Sequence, residues 1–253
     1  MILRTENLSM SFGGVKAVQN VDMEIRKGEI FGIIGPNGAG KTTLFNIISG
    51  FNCPSGGKVF YEGTESTGKP VHEMCKNGMT RTFQNIRLFG QMTVIDNLVV
   101  GRHTKLRTGL AGIALNLSSN KRKEQEAYVK ANEILEYLGI DQLANEIVNN
   151  LPYGLQRKVE IGRALASDPK LLLLDEPCAG MNPHETQDLM HLVAGIRDMG
   201  PTVAVIEHNM QMIMGISDRI MVLDFGQKIA EGSPKEVQSN PKVIEAYLGV
   251  EEE

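Results

Sequence analysis

The strongest constraint on the fold is a glycine-rich stretch, GPNGAGKT, that lies between an apolar run and a helical pattern. Residues 35–42 match G-x-x-x-x-G-K-[ST] at every fixed position. Ile30–Ile34 is almost wholly apolar, which is typical of a parallel strand buried on both faces. Residues 41–49 read as a helix that Gly50 ends. A strand, a glycine-rich turn and a helix in this order favour an α/β fold built around a phosphate-binding loop.

The chemistry of this loop follows from its residue types. Glycines let the backbone curl so that successive N–H groups point at phosphate oxygens, and the helix adds its positive N-terminal end. We expect the Lys41 ammonium to reach the terminal phosphates and the Thr42 hydroxyl to ligate Mg²⁺. The alternative is a glycine-rich turn with an unrelated lysine, which the flanking strand and helix disfavour. The predicted nucleotide-binding residues here are Gly35, Asn37, Gly38, Ala39, Gly40, Lys41, Thr42 and Thr43.

Charge and hydropathy exclude several classes of protein. The net charge is −4, so no basic face is expected and nucleic acid is not an expected partner. The first residues lack a basic start followed by an apolar run, so no signal peptide is expected. No stretch approaches the roughly 18 apolar residues that a membrane-spanning helix needs. We therefore expect a cytoplasmic protein whose membrane role, if it has one, is exercised through partners.

Strands and helices alternate along the second half of the chain. Residues 170–177 (KLLLLDEP) and 202–208 (TVAVIEH) read as buried strands. Between them, a helix is predicted from Asn182 as its cap, with Pro183 and Glu185 completing the start signal. Residues 218–232 predict a β-hairpin. This alternation predicts a mainly parallel sheet that is covered on both faces.

The middle of the chain reads differently from both ends. Residues 93–140 read mainly as helix, with a looser interruption near residues 107–119 and a helix stop at Gly139. The block is long enough to form a lobe of its own. Before residue 35, short runs of alternating apolar and polar residues predict strands instead.

Two acidic residues follow four consecutive leucines at the end of a predicted strand. The tip of a buried parallel strand faces the crevice at the carboxyl edge of the sheet. Asp175 is therefore placed to hold Mg²⁺ through water, and Glu176 to orient or deprotonate an attacking water molecule. The alternative is a surface acidic pair, which the four leucines disfavour.

Five segments occur in an order that resembles the ATP-binding cassette (ABC) ATPases. They are the loop at Lys41, Gln84 in RTFQN, residues 151–165, the LLLLDEP strand, and His208 in VIEHNM. A GTPase is disfavoured because the guanine-reading N-K-x-D is missing: the NKRK that starts at Asn120 lacks the aspartate. Residues 81–110 and 229–249 are similar, more narrowly, to the ATP-binding subunits of branched-chain amino acid importers.

The resemblance implies an α/β P-loop NTPase core with an inserted α-helical lobe. The core is a mainly parallel sheet with helices on both faces and antiparallel N-terminal strands. On this sequence, the core covers residues 1–85 and 168–253. The helical lobe covers residues 86–167 and has the glutamine-containing Q-loop at its beginning.

The resemblance also implies roles for individual side chains in hydrolysing ATP to ADP and phosphate. Phe12 matches the aromatic residue that stacks on adenine. Gln84 matches the glutamine that touches Mg²⁺ and the attacking water, and His208 matches the histidine that contacts the γ-phosphate. The catalytic set is Glu176, His208 and Gln84, and the metal set is Thr42, Gln84 and Asp175.

One motif departs from the family pattern. Where the family has L-S-G-G-Q, residues 151–155 read LPYGL. Pro152 supplies neither the hydroxyl nor the N–H of the family's serine. Gly154, the amides after it and the positive end of the following helix remain to bind a γ-phosphate on the opposite subunit. Tyr153 fits the importer branch, which commonly has L-A-Y-G-Q. We therefore expect this signature to form a weaker site than a full L-S-G-G-Q does.

The resemblance implies three kinds of partner. ATP is held between this chain and a second ABC ATPase subunit, identical or different. Two transmembrane permease subunits dock in a groove near Phe83–Met92, which places the chain on the inner face of the cell membrane. A periplasmic or extracellular binding protein participates indirectly. The alternatives are another cargo (urea, short amides, or lipopolysaccharide for export) and a scaffold ATPase with no transport role.

Overall fold

The computed structural model describes residues 1–103 and 118–248, and within these ranges the chain forms two β-sheets flanked by helices. The strands are β1 (Leu3–Phe12), β2 (Val15–Ile25), β3 (Ile30–Ile34), β4 (Gly56–Tyr61), β5 (Thr64–Glu65), β6 (Met79–Arg81), β7 (Leu171–Asp175), β8 (Thr202–Ile206), β9 (Arg219–Asp224) and β10 (Gln227–Gly232). The helices are α1 (Lys41–Ile48), α2 (Val71–Lys76), α3 (Val94–Gly101), α4 (Ser118–Leu138), α5 (Tyr153–Leu165), α6 (Pro183–Asp198), α7 (Met210–Ile216), α8 (Pro234–Gln238) and α9 (Pro241–Leu248).

The strand order confirms the predicted sheet architecture. The larger sheet has the order β10-β9-β3-β8-β7-β6, and all its pairs are parallel except β9 with β10. The smaller sheet, β2-β1-β4-β5, is antiparallel and comes from the N-terminal part of the chain. Ile206 pairs with both Ile33 and Asp175. Because β3, β8 and β7 end level, the segments that follow them meet at one edge of the sheet.

The apolar runs are explained by burial of the larger sheet on both faces. On β7, Leu172 and Leu174 join a buried cluster on the helical side, whereas Leu171 and Leu173 join a second cluster that faces the smaller sheet. Side chains alternate between the faces of a strand, so a strand covered on both sides is apolar at every position. Each fully buried leucine contributes about 1.5–3 kcal/mol of transfer free energy. The sheet edge that carries the polar residues is thus rigidly supported.

The helices of the middle segment pack on one another and on the larger sheet. α3 contacts both α4 and α5. Leu98, Leu135 and Val159 belong to the same buried cluster as β7 and β8, so this segment shares its core with the sheet. Gly139, with φ +65°, follows the end of α4 as predicted. The predicted interruption near residues 107–119 lies outside the described residues except for its last two, which begin α4. The lobe boundaries at residues 86 and 167 stay a prediction.

The predicted helix start at Asn182 is confirmed in detail. The Asn182 side chain accepts hydrogen bonds from the backbone N–H groups of His184 and Glu185, and the Glu185 carboxylate accepts from the Asn182 N–H at 2.9 Å. Pro183 occupies the first helical position, where no N–H is needed. Such a cap stabilises a helix by about 1 kcal/mol.

Across the two described ranges, no helix combines the length and the apolar character that crossing a membrane requires.

Candidate functional site

The phosphate-binding loop connects β3 to α1 and depends on its glycines. Gly38 and Gly40 have φ of +82° and +98°, a region that side chains other than glycine adopt rarely. A Cβ on Gly40 would lie 2.2 Å from the Ala17 carbonyl oxygen, and one on Gly35 would lie 2.1 Å from that of Leu223. The loop is therefore packed directly against the backbone of two neighbouring strands, and its curled shape is available to glycine only.

Lys41 lies over this loop with its ammonium group held by backbone oxygens. Its Nζ donates to the carbonyl oxygens of Gly35 at 2.7 Å and Pro36 at 2.9 Å. Burial lowers the pKa of Lys41, and the nearby carboxylates of Glu176 and Asp175 oppose that shift. The loop thus presents one positive charge beside two negative ones.

Seven of the eight predicted loop residues line one cleft together with Glu176, and Gly35 does not. The volume of the cleft is about 550 Å³. The lining residues are Gly14, Val15, Lys16, Ala17, Gln19, Asn37, Gly38, Ala39, Gly40, Lys41, Thr42, Thr43, Glu176 and Phe225. Phe12 is not among them. It ends β1, is 48% exposed and pairs with Val15, so it lies at the rim of the cleft.

Sequence reasoning missed an aromatic residue that does line the cleft. Phe225 sits in the turn between β9 and β10, has φ +42° and is 81% exposed. The turn is tied to the phosphate loop, because the Gly226 N–H donates to the Ala39 carbonyl at 3.0 Å. The Gln19 side chain also donates to the Phe225 carbonyl at 2.8 Å. The only sequence signal was a phenylalanine next to a turn glycine.

The three predicted catalytic side chains meet at one carboxylate. Gln84 Nε2 donates to Glu176 Oε2 at 2.8 Å, and His208 Nδ1 lies 3.8 Å from the same oxygen. Glu176 has φ +46°, an uncommon conformation for glutamate, and its N–H is held by the Ile206 carbonyl at 2.9 Å. Strained backbone of this kind costs on the order of 1–3 kcal/mol and persists only where neighbours fix it. The arrangement holds a carboxylate at the cleft, and within residues 1–103 and 118–248 its Oε1 is left for a further hydrogen bond.

A second glutamate, which the sequence reasoning did not single out, fixes this arrangement. Glu207 is fully buried, and its Oε1 accepts from the Cys178 N–H at 2.7 Å. Its Oε2 accepts from the N–H groups of His208 at 3.0 Å and Asn209 at 3.1 Å. Glu207 therefore ties the segment after Glu176 to the segment that carries His208.

An arginine from α5 holds the backbone around Gln84. Arg157 is fully buried and donates to the carbonyl oxygens of Phe83 at 2.7 Å and Gln84 at 2.8 Å. The same guanidinium pairs with Glu160 at 2.7 Å and donates to the Tyr153 hydroxyl at 2.9 Å. Charge-assisted bonds of this kind are short and strong. The position of the glutamine is thereby linked to the first turn of α5.

Asp175 is buried and already has a cationic partner. Its Oδ2 lies 2.7 Å from Arg81 Nη2, and its Oδ1 is buried without a hydrogen-bond partner among the described residues. Mg²⁺ prefers oxygen ligands such as carboxylate and hydroxyl groups. An unpaired buried carboxylate oxygen and the Thr42 hydroxyl at the same sheet edge fit that preference. Sequence reasoning missed Arg81, because its only sequence signal was a basic residue three positions before Gln84.

Gly154 is not part of this cleft. It lies in the first turn of α5, where an added Cβ would be 2.8 Å from Glu185 Oε1. Pro152 occupies the cap position of α5, and Tyr153 is partly exposed. The structure therefore separates the LPYGL segment from the phosphate loop within one chain.

Comparisons with known proteins agree with this geometry. A family model described as "ABC transporter" matches residues 18–179, and one described as "branched-chain amino acid ATP-binding cassette transporter" matches residues 227–253. The high-affinity branched-chain amino acid transport ATP-binding protein LivG of Salmonella typhimurium is 46% identical over 249 residues, 98% of each chain. The ADP conformation of MJ1267, an ATP-binding cassette of an ABC transporter, superposes with a TM-score of 0.86 at 38% identity, covering 98% of both chains. A dimeric post-hydrolysis structure of the cassette MJ0796, bound to ADP and Pi, gives 0.77 at 26% identity, covering 92% of this chain and 99% of that one.

Proposed function

The chain belongs to the ABC transporter family of ATPases, and from this we propose that it drives uptake of branched-chain or related amino acids through partner permease subunits. The observation that carries the proposal is the 46% identity to LivG over 98% of both chains. The match of residues 227–253 to the branched-chain amino acid model supports it, because that match lies outside the general ABC region. The proposal assigns the path across the membrane to the permease chains.

The proposed hydrolysis uses the side chains around the cleft. The amides of the phosphate loop and the Lys41 ammonium bind the phosphates. Thr42, Gln84 and Asp175 are the side chains that would hold Mg²⁺, which when bound neutralises charge on the phosphate oxygens. Glu176 accepts the proton of the attacking water through Oε1, while the bond from Gln84 to Oε2 fixes the carboxylate.

The remaining site residues have proposed roles at the edge of the cleft. His208 approaches the γ-phosphate from the Glu176 side, at the position to which Glu207 ties its backbone. Phe12, at the rim, stacks on the adenine.

We also propose that the active form contains two cassettes. Gly154 and the amides at the start of α5 lie outside the chain's own cleft, which supports a role for them at the nucleotide of a second subunit. Pro152 and Leu155 replace the serine and glutamine of the full signature. The nucleotide site that they complete on the second subunit is therefore weaker than one completed by L-S-G-G-Q. A different ATPase with a full signature would then complete this chain's own cleft.

The proposed permease groove lies beside the Q-loop, on the inner face of the membrane. It consists of Phe83, Ile86, Leu88, Phe89 and Met92. Phe89 is 50% exposed and the other four are partly buried, so Phe89 offers most of the apolar surface.

Phe89→Asp is expected to abolish co-purification with the permease subunits and to leave the melting temperature within a few degrees of the native value. A charge at the centre of an apolar contact loses its hydration without gaining a partner. Leu88 is a poorer site for this test because it packs against the buried core. Met199→Asp, at a 54% exposed position outside the groove, is the control. Undiminished co-purification of the Phe89→Asp chain would remove the groove assignment.

Reconstitution in liposomes with the permease subunits and the binding protein tests the proposed cargo. We expect leucine, isoleucine or valine to stimulate ATP hydrolysis and to accumulate in an ATP-dependent manner. Stimulation by urea or a short amide instead would assign a different cargo. A chain that hydrolyses ATP but associates with no permease would support the scaffold alternative.

A further inference from the structure

Arg81 places a permanent positive charge against Asp175 in the interior of the protein. The side chains of Arg81 and Asp175 are only 5% and 3% exposed, and Nη2 lies 2.7 Å from Oδ2. Nη1 of the same guanidinium donates to Asn46 Oδ1 at 2.8 Å and Ser49 Oγ at 3.2 Å. Arginine stays protonated at every pH a protein meets. The charge of Asp175 is therefore balanced from within the chain.

Three aromatic rings enclose this guanidinium. Its Cζ lies 5.5 Å, 5.7 Å and 5.4 Å from the ring centres of Phe45, Phe51 and Phe83. Phe51 and Phe83 also contact each other edge to face at 5.5 Å. Aromatic faces attract cations, and their bulk keeps water away from the ion pair. The charge of Arg81 thus acts on Asp175 with little screening by solvent or salt.

We propose that Arg81 is a positioning residue that suppresses metal binding at Asp175 until a nucleotide supplies further oxygen ligands. Arg81 occupies Oδ2, so only Oδ1 is left to face a metal ion. A divalent cation at Oδ1 meets a carboxylate whose charge is already balanced, and it is repelled by the guanidinium a few ångströms away. The phosphate oxygens of a bound nucleotide supply the negative charge that Arg81 has balanced at Asp175, so the cation can then bind. The inference rests on the proposed role of Asp175 in holding Mg²⁺.

The test measures binding of Mn²⁺ alone to the nucleotide-free protein, with free Mn²⁺ read by electron paramagnetic resonance. Arg81→Gln keeps a hydrogen-bond donor but removes the charge, and we expect it to raise Mn²⁺ affinity at least about tenfold. Arg81→Lys keeps the charge, and its affinity should stay within about threefold of the native value. Adding Asp175→Asn to Arg81→Gln should abolish the gain.

Arg219 offers a matched control elsewhere in the fold. Its guanidinium pairs with Glu29 at 2.9 Å and lies 5.2 Å from the ring centre of Phe31. Arg219→Gln therefore removes a comparable ion pair, and it should leave Mn²⁺ affinity unchanged. The inference is overturned if folded Arg81→Gln binds Mn²⁺ no more tightly than the native chain, or if Arg219→Gln gives the same gain.

If Arg81→Gln lacks a cooperative melting transition, the test compares Mn²⁺ binding by the native chain and by its Asp175→Asn variant. Nucleotide-free Mn²⁺ binding that is unchanged by Asp175→Asn supports the inference, whereas a site that Asp175→Asn removes overturns it. The proposed metal role is tested separately, with ADP present. If Mn²⁺ binding to that complex is insensitive to Asp175→Asn, the metal role of Asp175 is wrong whatever Arg81 does.

Discussion

Replacing Glu176 by glutamine is expected to lower the rate of ATP hydrolysis about a thousandfold, within the 10²–10⁴-fold range of general acid–base catalysis. An amide has nearly the shape of a carboxylate but does not accept the proton of the attacking water. The amide oxygen of the substituted side chain can still accept the bond that Gln84 donates to Oε2 of the native glutamate. ATP affinity should therefore stay within about threefold of the native value, since the phosphate-binding groups are untouched.

Single-turnover phosphate release and calorimetric ATP binding measure the two quantities separately. Because ATP would persist in the bridged state, light scattering of the Glu176→Gln chain mixed with its partner ATPase should show an ATP-dependent dimer. Glu65→Gln, at an exposed position on the smaller sheet, is the control and should behave as the native chain. A residual hydrolysis rate within tenfold of the native rate would show that Glu176 is not the base.

The second large effect is expected on binding. Lys41→Ala should weaken ATP affinity about a hundredfold or more, because each charge-assisted hydrogen bond that the ammonium makes contributes about 1.5–3 kcal/mol. The substitution also removes the bonds from Nζ to the carbonyl oxygens of Gly35 and Pro36, so the melting temperature needs to be recorded alongside. Calorimetric titration with ATP measures the affinity.

Lys58→Ala is the matched control, since Lys58 is exposed and its ion pair with Glu65 lies at the surface. The two site variants are expected to change different quantities: Glu176→Gln lowers the rate of hydrolysis, and Lys41→Ala lowers the affinity for ATP. Native ATP affinity in a folded Lys41→Ala chain would contradict the assignment of the loop.

Much of the fold could be predicted because its strongest elements carry local signals. β3, β7 and β8 are apolar at nearly every position, which is the sequence pattern of a short strand that is buried on both faces. β6 was not predicted. It is only three residues long and exists because it pairs with β7, in a register that runs from Met79 opposite Leu171 to Arg81 opposite Leu173. A strand held by its neighbour leaves no periodic pattern in its own sequence.

In the candidate site too, residues with a local sequence signal could be predicted and residues held by distant partners could not. The phosphate loop and the acidic pair could be found from spacing alone, because their chemistry depends on consecutive residues. The residues that fix the site were missed because their partners are distant in sequence: Arg81 and Asp175 are 94 residues apart, and Glu207 and Cys178 are 29 apart. Phe225 reaches the cleft because its turn is bonded to the Ala39 carbonyl and to Gln19, contacts that no local pattern predicts.

The most direct test of the central claim is a structure of the Glu176→Gln chain with Mg-ATP. The account predicts a triphosphate in the loop from Gly35 to Thr43, with the Lys41 ammonium on its terminal phosphates. It also predicts the start of α5 from a second subunit on the far side of the nucleotide. A triphosphate bound elsewhere, or a loop that holds none at saturating ATP, would contradict it.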